Sequence, residues 1–173
     1  LPLRGGKGWV YEGGIREPGI MHWPSKIQKG IVSSEPCASM DIAPTLLDAI
    51  GVDLKKYSLD GKSLLELAKG NSKDNERILF WEFLDQTAVR KGKWKLVLKG
   101  KLIESYGDVP EVHLANLEED MSESNNLADE EPEITEELRN LAENWRKRIE
   151  EKWIKEYGAP NEEQRLNTQM GLK

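Results

Sequence analysis

A glycine-rich stretch near the start of the chain, residues 3–18, most strongly limits what this part of the protein can form. Five glycines lie within residues 5–14, a composition that is poor for a hydrophobic core and typical of a tight loop. Glycine reaches positive φ and lets the backbone come close to a ligand or to another segment. Lys7 and Glu12 lie among these glycines. The loop is therefore able to bring a compact positive charge with three donors to an anionic group.

Two other interpretations of Lys7 are a solvated side chain on an ordinary surface loop and the lysine of a nucleotide-binding P-loop. Glycine-rich connectors are common, which keeps the first interpretation open on chemistry alone. The P-loop fits poorly, because its pattern places Ser or Thr directly after the lysine and this chain has Gly8 there.

The stretch resembles the second signature region of the sulfatase family. The matching residues run Gly-Gly-Lys-Gly-x-x-Tyr-Glu-Gly-Gly-Ile-Arg-Glu-Pro, and a short apolar segment ending at Trp23-Pro24 follows them. Sulfatases hydrolyse sulfate esters and belong to a superfamily that resembles alkaline phosphatase. The resemblance implies that Lys7 binds the substrate sulfate. Glu12 and Arg16 are expected to brace the loop through charge-assisted hydrogen bonds.

Length and composition allow one ordinary domain but not a whole sulfatase. The 173 residues, 38% of them hydrophobic, are enough for a real core. The chain begins at Leu1, almost at the motif, so we expect a C-terminal piece of a longer polypeptide. A net charge of −6 gives no general attraction to nucleic acid. No run of apolar residues approaches the ~18 that a membrane span needs.

The single cysteine, Cys37, cannot form an internal disulfide. Sulfatases carry a formylglycine precursor in the pattern Cys-x-[Pro/Ser]-x-Arg, and Cys37-Ala38-Ser39-Met40-Asp41 lacks the arginine. We therefore interpret Cys37 as a small residue packed before a helix.

The segment that follows the motif predicts a strand and then a helix. Ile15–Trp23 is expected to be a strand, with His22 as a structural residue in it. Residues 40–51 predict a helix with Asp41 as N-cap and Gly51 at C′. One apolar face for packing is formed by Ile42, Leu46, Leu47 and Ile50. The sequence Asp-Ile-x-Pro-Thr-Leu-Leu-Asp-x-x-Gly in this helix, and Asp60–Leu65 after it, also resemble sulfatases.

Residues after position 77 have a different pattern, that of a sheet and a long helix. Residues 78–83 predict a strand, and residues 87–98 predict a hairpin turning at Lys91-Gly92. Trp94, Leu96 and Leu98 alternate with Lys93, Lys95 and Val97, which predicts one apolar face. A further strand over 112–117 contains His113 as an ordinary strand residue. From Pro132 a helix is predicted, with an apolar stripe formed by Ile134, Leu138, Leu141, Trp145, Ile149 and Trp153. We expect Trp94 and Trp145 to pack between sheet and helix.

These elements predict an α/β protein, or α+β when the fragment is taken alone. By the resemblance, residues 1–70 form the C-terminal edge of the sulfatase catalytic α/β domain. The polar stretch 70–76 marks the boundary. Residues 77–155 form a small antiparallel β-sheet subdomain with a long C-terminal helix, and residues 156–173 are a loose tail.

The resemblance implies a formylglycine nucleophile and a Ca²⁺ ion in the complete enzyme, all held by residues upstream of Leu1. This chain is thus expected to hold no metal and to be inactive alone. Its partners are a sulfate-ester substrate and the upstream part of the catalytic domain, with no nucleic acid and no membrane span. The location is undecided, although the family allows a secreted or periplasmic one. The alternatives are a phosphoester hydrolase of the same superfamily and an inert structural or binding module.

Overall fold

The computed structural model describes residues 2–71, 77–100 and 109–159, and this part of the chain forms two compact units. One unit comprises Leu1–Glu17 together with Ile78–Lys173, and the other comprises Pro18–Arg77. The glycine-rich segment therefore clusters with the residues after position 77, whereas the sequence suggested grouping it with residues 18–70. The expectation that residues 1–70 complete a catalytic domain concerns the longer protein and stays a prediction.

The larger unit is built on a four-stranded antiparallel sheet in the order β1-β2-β3-β4. Its strands are β1 (Ile78–Phe83), β2 (Gln86–Lys91), β3 (Trp94–Leu98) and β4 (Val112–Asn116). Each strand pairs in antiparallel fashion with the next one along the chain. Together with the long C-terminal helix, this sheet confirms the predicted mixed fold class.

The hairpin between β2 and β3 turns one residue later than the sequence suggested. Lys91 pairs with Trp94, so the central residues of the turn are Gly92 and Lys93 rather than Lys91 and Gly92. Gly92 has a φ of 55°, a value that suits the first central position of a primed hairpin turn.

The sheet is buried on both faces. One face packs against the helix α4 (Pro132–Tyr157), and the fully buried residues of this core are Val89, Leu96, Leu114, Leu138 and Ala142. The other face packs against the glycine-rich segment, through a second core formed by Val10, Tyr11, Ala88 and Val97. The predicted polar face of β3 is therefore wrong at Lys95, which is fully buried because this second layer covers it.

Helix α4 begins at Pro132 as predicted and runs past the edge of the sheet. A helix of 26 residues is about 39 Å long. The sheet of four short strands measures only about 20 Å, both along its strands and across them. The first half of the predicted stripe is consequently covered, while Ile149 and Trp153 remain exposed. Trp145 stacks on Phe80 of β1 at a centroid distance of 5.1 Å, and Trp94 packs on the core separately. Of the tail predicted over residues 156–173, Glu156 and Tyr157 still belong to α4, and residues 160–173 lie outside the described residues.

In the smaller unit, a buried ion pair organises the connections between the helices α2 (Ile42–Ala49) and α3 (Leu65–Ala68). Asp41 stands at the predicted N-cap position, but its carboxylate accepts bonds from the guanidinium of Arg77 at 2.6 and 2.7 Å. It also accepts bonds from the backbone N–H groups of Ala38 and Lys62. Asp41 thus ties distant segments of the chain together and does not cap α2.

Two predictions for this unit are wrong. Where a strand was predicted over Ile15–Trp23, Ile15 is the last residue of the short helix α1 (Glu12–Ile15) and residues 16–23 have no regular structure. Ile20 is 95% exposed, because the described part of the 18–77 unit contains no strand with which it could pair. The apolar face predicted for α2 is also mostly exposed: Ile42, Leu46 and Ile50 are exposed and Leu47 is half-buried. The residues that α2 buries are Pro44 and Thr45. The C′ glycine was predicted correctly, since Gly51 has a φ of 80°.

The packing of Trp145 gives a test of the sheet–helix core. We expect Trp145→Ala to lower the free energy of unfolding by about 3 kcal/mol, the low end of the range for a large aromatic, because Trp145 is only half-buried. Trp153→Ala, on the exposed part of the same helix, should change it by less than about 0.5 kcal/mol. Urea unfolding followed by circular dichroism compares them, and equal losses would contradict the stacking of Trp145 on the sheet.

Candidate functional site

Lys7 lies at the tip of a tight turn in the glycine-rich segment. The turn is closed by a hydrogen bond from the backbone N–H of Trp9 to the carbonyl of Gly6 at 3.0 Å. Gly8, the third residue of the turn, has a φ of 86°, which a type II turn requires and a side chain would strain. The side chain of Lys7 is exposed, and the described residues give it no ion pair or hydrogen bond. Its ammonium group is thus available to an anion.

The two ends of the loop are held together by close backbone contacts. The N–H of Gly13 donates to the carbonyl of Arg4 at 2.8 Å. A Cβ on Gly14 would lie 2.0 Å from the carbonyl oxygen of Trp9, so only glycine fits there. This contact explains the second pair of glycines in the motif, which closes the loop behind Lys7.

A fully buried lysine holds the loop on the sheet. The Nζ of Lys95 lies 2.9 Å from Oε1 of Glu12 and 3.0 Å from Oε1 of Glu123. The other oxygen of Glu123 accepts a hydrogen bond from the backbone N–H of Glu12 at 2.6 Å. Arg16 donates to Oε2 of Glu12 at 3.1 Å. Segments that are distant in the sequence thus meet at one ammonium group.

The electrostatics of the two carboxylates differ. Burial raises the pKa of Glu12, but the ammonium of Lys95 and hydrogen bonds from Lys95 and Arg16 outweigh it and hold that pKa below its usual value. Burial raises the pKa of Glu123, against the attraction of Lys95 and the hydrogen bond from Glu12. Glu12 is therefore the more firmly ionised partner of Lys95.

Arg4 and His113 form the base of the same region. Arg4 donates to the carbonyl of Glu123 at 2.9 Å, lies 3.4 Å from Nδ1 of His113, and stacks over the ring of Tyr11 at 4.5 Å. Burial, helped by the positive charge of Arg4, lowers the pKa of His113 to about 4. Burial also raises the pKa of Tyr11 to about 12. Both rings are therefore neutral at physiological pH.

The structure brings Glu12 and Arg16 together, as the proposed bracing requires, and leaves Lys7 apart from them. Sequence analysis missed Lys95 and Glu123, because one looked like a solvated strand residue and the other lies in a polar turn. Glu123 has a φ of 51°, and this turn directs it inward. No spacing in the sequence signals a partnership between residues 83 positions apart.

The other candidate residues lie elsewhere. Cys37 is exposed and donates to the carbonyl of Glu35, so its interpretation as a packed residue is wrong. His22 is exposed, in a segment without regular structure. Within residues 2–71, 77–100 and 109–159, no three His, Cys, Asp or Glu side chains are grouped so that they could hold a metal. In these ranges no helix has the length and hydrophobicity to cross a membrane.

Comparison with known proteins gives consistent matches. Residues 6–152 match the family described as N-sulphoglucosamine sulphohydrolase, C-terminal. Arylsulfatase A of Bos taurus is 34% identical over 152 residues, which cover 76% of this chain and 30% of the bovine protein. An uncharacterized sulfatase of Schizosaccharomyces pombe is 33% identical over 83% of this chain and 26% of its own length. The chain thus spans less than a third of these relatives.

A solved structure is also similar. Its title concerns the metabolism of multiple glycosaminoglycans by Bacteroides thetaiotaomicron, and it superposes with a TM-score of 0.66 at 28% identity. The match covers 81% of this chain and 31% of that one.

Replacing Lys95 tests whether the loop depends on the buried charge. We expect Lys95→Met to lower the free energy of unfolding by about 3–5 kcal/mol, because it leaves the buried carboxylate of Glu123 without a cation and that of Glu12 with Arg16 alone. Lys91→Met is the control, since Lys91 pairs with Glu137 in solvent and should cost less than about 1 kcal/mol. Replacing Glu12 and Glu123 by Gln in the Lys95→Met background should recover part of the loss. Equal denaturation midpoints for the two lysine variants would contradict this.

The buried His113 predicts a pH dependence of stability. Its pKa is about 4 in the folded chain against 6.5 in the unfolded chain, so the unfolded state binds more protons as the pH falls through this window. Stability should therefore drop by about 2 kcal/mol between pH 7 and pH 5. The measurement is urea unfolding at both pH values. His113→Gln should lose this slope and the exposed His22→Gln should keep it, and an unchanged slope in His113→Gln would count against a neutral buried ring.

Proposed function

Because the chain belongs to the sulfatase family, as its match to the family described as N-sulphoglucosamine sulphohydrolase, C-terminal, shows, we propose that it is part of a sulfuric ester hydrolase. In this proposal Lys7 binds the substrate sulfate. The observation that supports this most directly is the geometry of Lys7. Its cation is exposed, has no partner among the described residues, and stands on a turn whose base is fixed by buried charges. A lysine that merely aided solubility would not need this support.

The chemistry explains why a fixed cation is useful at this place. Cleavage of a sulfate ester moves negative charge onto the sulfuryl oxygens and the leaving oxygen. A preorganised cation stabilises this charge without reorganising at the moment of reaction. The ammonium of Lys7 can donate to a sulfuryl oxygen, and its three donors leave room for a second bond to the leaving-group oxygen. Glu12 and Arg16 do not contact substrate in this proposal and keep the loop in place.

The nucleophile and the metal belong to other residues of the complete enzyme. The family implies formylglycine as nucleophile and a bound Ca²⁺ ion. The described residues contain no group of ligands that fits Ca²⁺, and Cys37 lacks the arginine of the formylglycine pattern. We therefore assign neither group to this chain and expect residues 1–173 alone to be inactive.

The upstream part of the catalytic domain is the partner that we propose for residues 18–77. The exposed row of Ile42, Leu46 and Ile50 on α2 supports this, because a row of large apolar side chains in water is unfavourable and marks a contact surface. The relatives are more than three times as long as the matched region, so they contain enough additional chain to cover it. This chain alone does not specify the sulfated substrate, since selectivity depends on loops that differ among enzymes of one fold.

Replacing Lys7 in the complete enzyme tests the proposal. We expect Lys7→Ala to lower kcat/KM for an aryl sulfate by a factor on the order of 10²–10³, because a charged donor to the transition state is lost. Lys7→Arg should rescue poorly, since a planar guanidinium does not place a point charge at the same position. Lys29→Ala, at an exposed lysine of the other unit, should leave kcat/KM unchanged.

Two controls complete this experiment. Residues 1–173 alone should give no turnover of the aryl sulfate, and the same variants should be measured on an aryl phosphate. A Lys7→Ala enzyme within twofold of the parent would return Lys7 to the solvated-loop interpretation. A preference of the parent for the phosphate ester would favour the phosphoester hydrolase instead.

A further inference from the structure

We infer that Gln86 is a positioning residue for Lys7, so that the sheet acts on the reaction through one side-chain amide. This inference rests on the proposed role of Lys7. Gln86 is the first residue of β2 and is almost 80 positions away from the loop in the sequence. It has no place in the motif, and its side chain is 1% exposed.

Both contacts of Gln86 lie at the exit of the turn that carries Lys7. Its Nε2 donates to the carbonyl of Gly8 at 2.9 Å, and its Oε1 accepts from the backbone N–H of Val10 at 3.4 Å. Gly8 directly follows Lys7 in the turn. The amide therefore fixes the exit of the turn, and with it the direction in which the Cα–Cβ bond of Lys7 points.

The donor and acceptor requirements of this place fit glutamine specifically. One contact needs an N–H group and the other needs an oxygen, and a side-chain amide supplies both in one plane. A glutamate would retain the acceptor for Val10 but would set a carboxylate against the carbonyl of Gly8. A methionine has similar length and neither group. Gln86→Glu therefore removes only the contact with Gly8, whereas Gln86→Met removes both contacts, and both substitutions change the side-chain volume little.

The segment around Gln86 is itself held from the opposite face of the sheet. Arg146 of α4 donates to the carbonyl of Asp85 at 3.0 Å and to Oγ1 of Thr87 at 2.9 Å. Gln86 pairs with Phe83 in the register of β1 and β2. The amide thus projects from a fixed piece of backbone, which is the condition for a side chain to set the position of a loop.

The test compares Gln86→Met and Gln86→Glu in the complete enzyme, each in the parent and in the Lys7→Ala background. In the parent, Gln86→Met should lower kcat for an aryl sulfate by about 10- to 100-fold, the scale expected when a reacting group is misplaced by about 1 Å. In the Lys7→Ala background the same change should have less than a twofold effect, because the group that it positions is already gone. Gln86→Glu should behave in the same way, and it replaces Gln86→Met in this test if the methionine variant does not fold.

A stability-matched control separates positioning from general weakening. Thr135 lies near the start of α4, and its mostly buried hydroxyl donates a hydrogen bond to the carbonyl of Ala128 at 3.1 Å. Thr135→Ala removes this bond. It should lower the melting temperature without changing kcat. Amide hydrogen exchange in the 173-residue chain gives a readout without activity. Gln86→Met should speed exchange at Trp9 and Val10, and Thr135→Ala should not.

The outcomes distinguish this inference from the proposed function. A Lys7→Ala enzyme with full activity overturns both. If Lys7→Ala is impaired but Gln86→Met is within twofold of the parent, the inference alone fails. It also fails if Gln86→Met lowers kcat equally in both backgrounds, or if exchange at Trp9 and Val10 is unchanged. Loss of kcat only when Lys7 is present, together with faster exchange, supports it.

Discussion

The buried ammonium of Lys95 is the interaction on which the arrangement of the larger unit depends. Removing a lysine from water is unfavourable unless carboxylates and hydrogen bonds replace the solvent. Here Glu12 and Glu123 replace it, one from the glycine-rich motif and one from the turn after β4. Because each partner comes from a different segment, the charge can be satisfied only when the loop, β3 and the turn are all in place. The pairing therefore specifies the arrangement as well as stabilising it.

The same interaction explains why the sheet has two cores. A four-stranded antiparallel sheet commonly covers one face and leaves the other in water. In this protein the helix α4 covers one face and the glycine-rich segment covers the second, with Tyr11 and Val10 packed over Ala88 and Val97. A loop with five glycines has little apolar surface of its own, so the buried charges and the backbone contacts at Gly13 and Gly14 hold it there. The rigidity that Lys7 needs thus comes from residues far from it in sequence.

The smaller unit follows a similar principle at Asp41 and Arg77. Their bidentate pair joins the start of α2 to the end of the unit, and the side chain of Arg77 is only 8% exposed. This pair fixes the connections, while the apolar face of α2 stays uncovered. The unit is therefore held more by charge-assisted hydrogen bonds than by an apolar core, which agrees with the proposal that further chain packs against it.

The sequence by itself determined the local elements. The limits of β1, the start of α4 at Pro132 and the glycine after α2 follow from propensity, fixed φ and the need for positive φ, all of which act within a few residues. The motif also determined the family. Tertiary structure alone decided that Lys95 is buried, that Glu123 is its partner and that Gln86 reaches Gly8. It also decided that residues 16–22 and most of the predicted face of α2 stay exposed. Periodicity records which residues share a face, but it does not record what covers that face. Covering depends on contacts between distant segments, and here a glycine-rich loop provides the cover that the alternation in β3 gave no reason to expect.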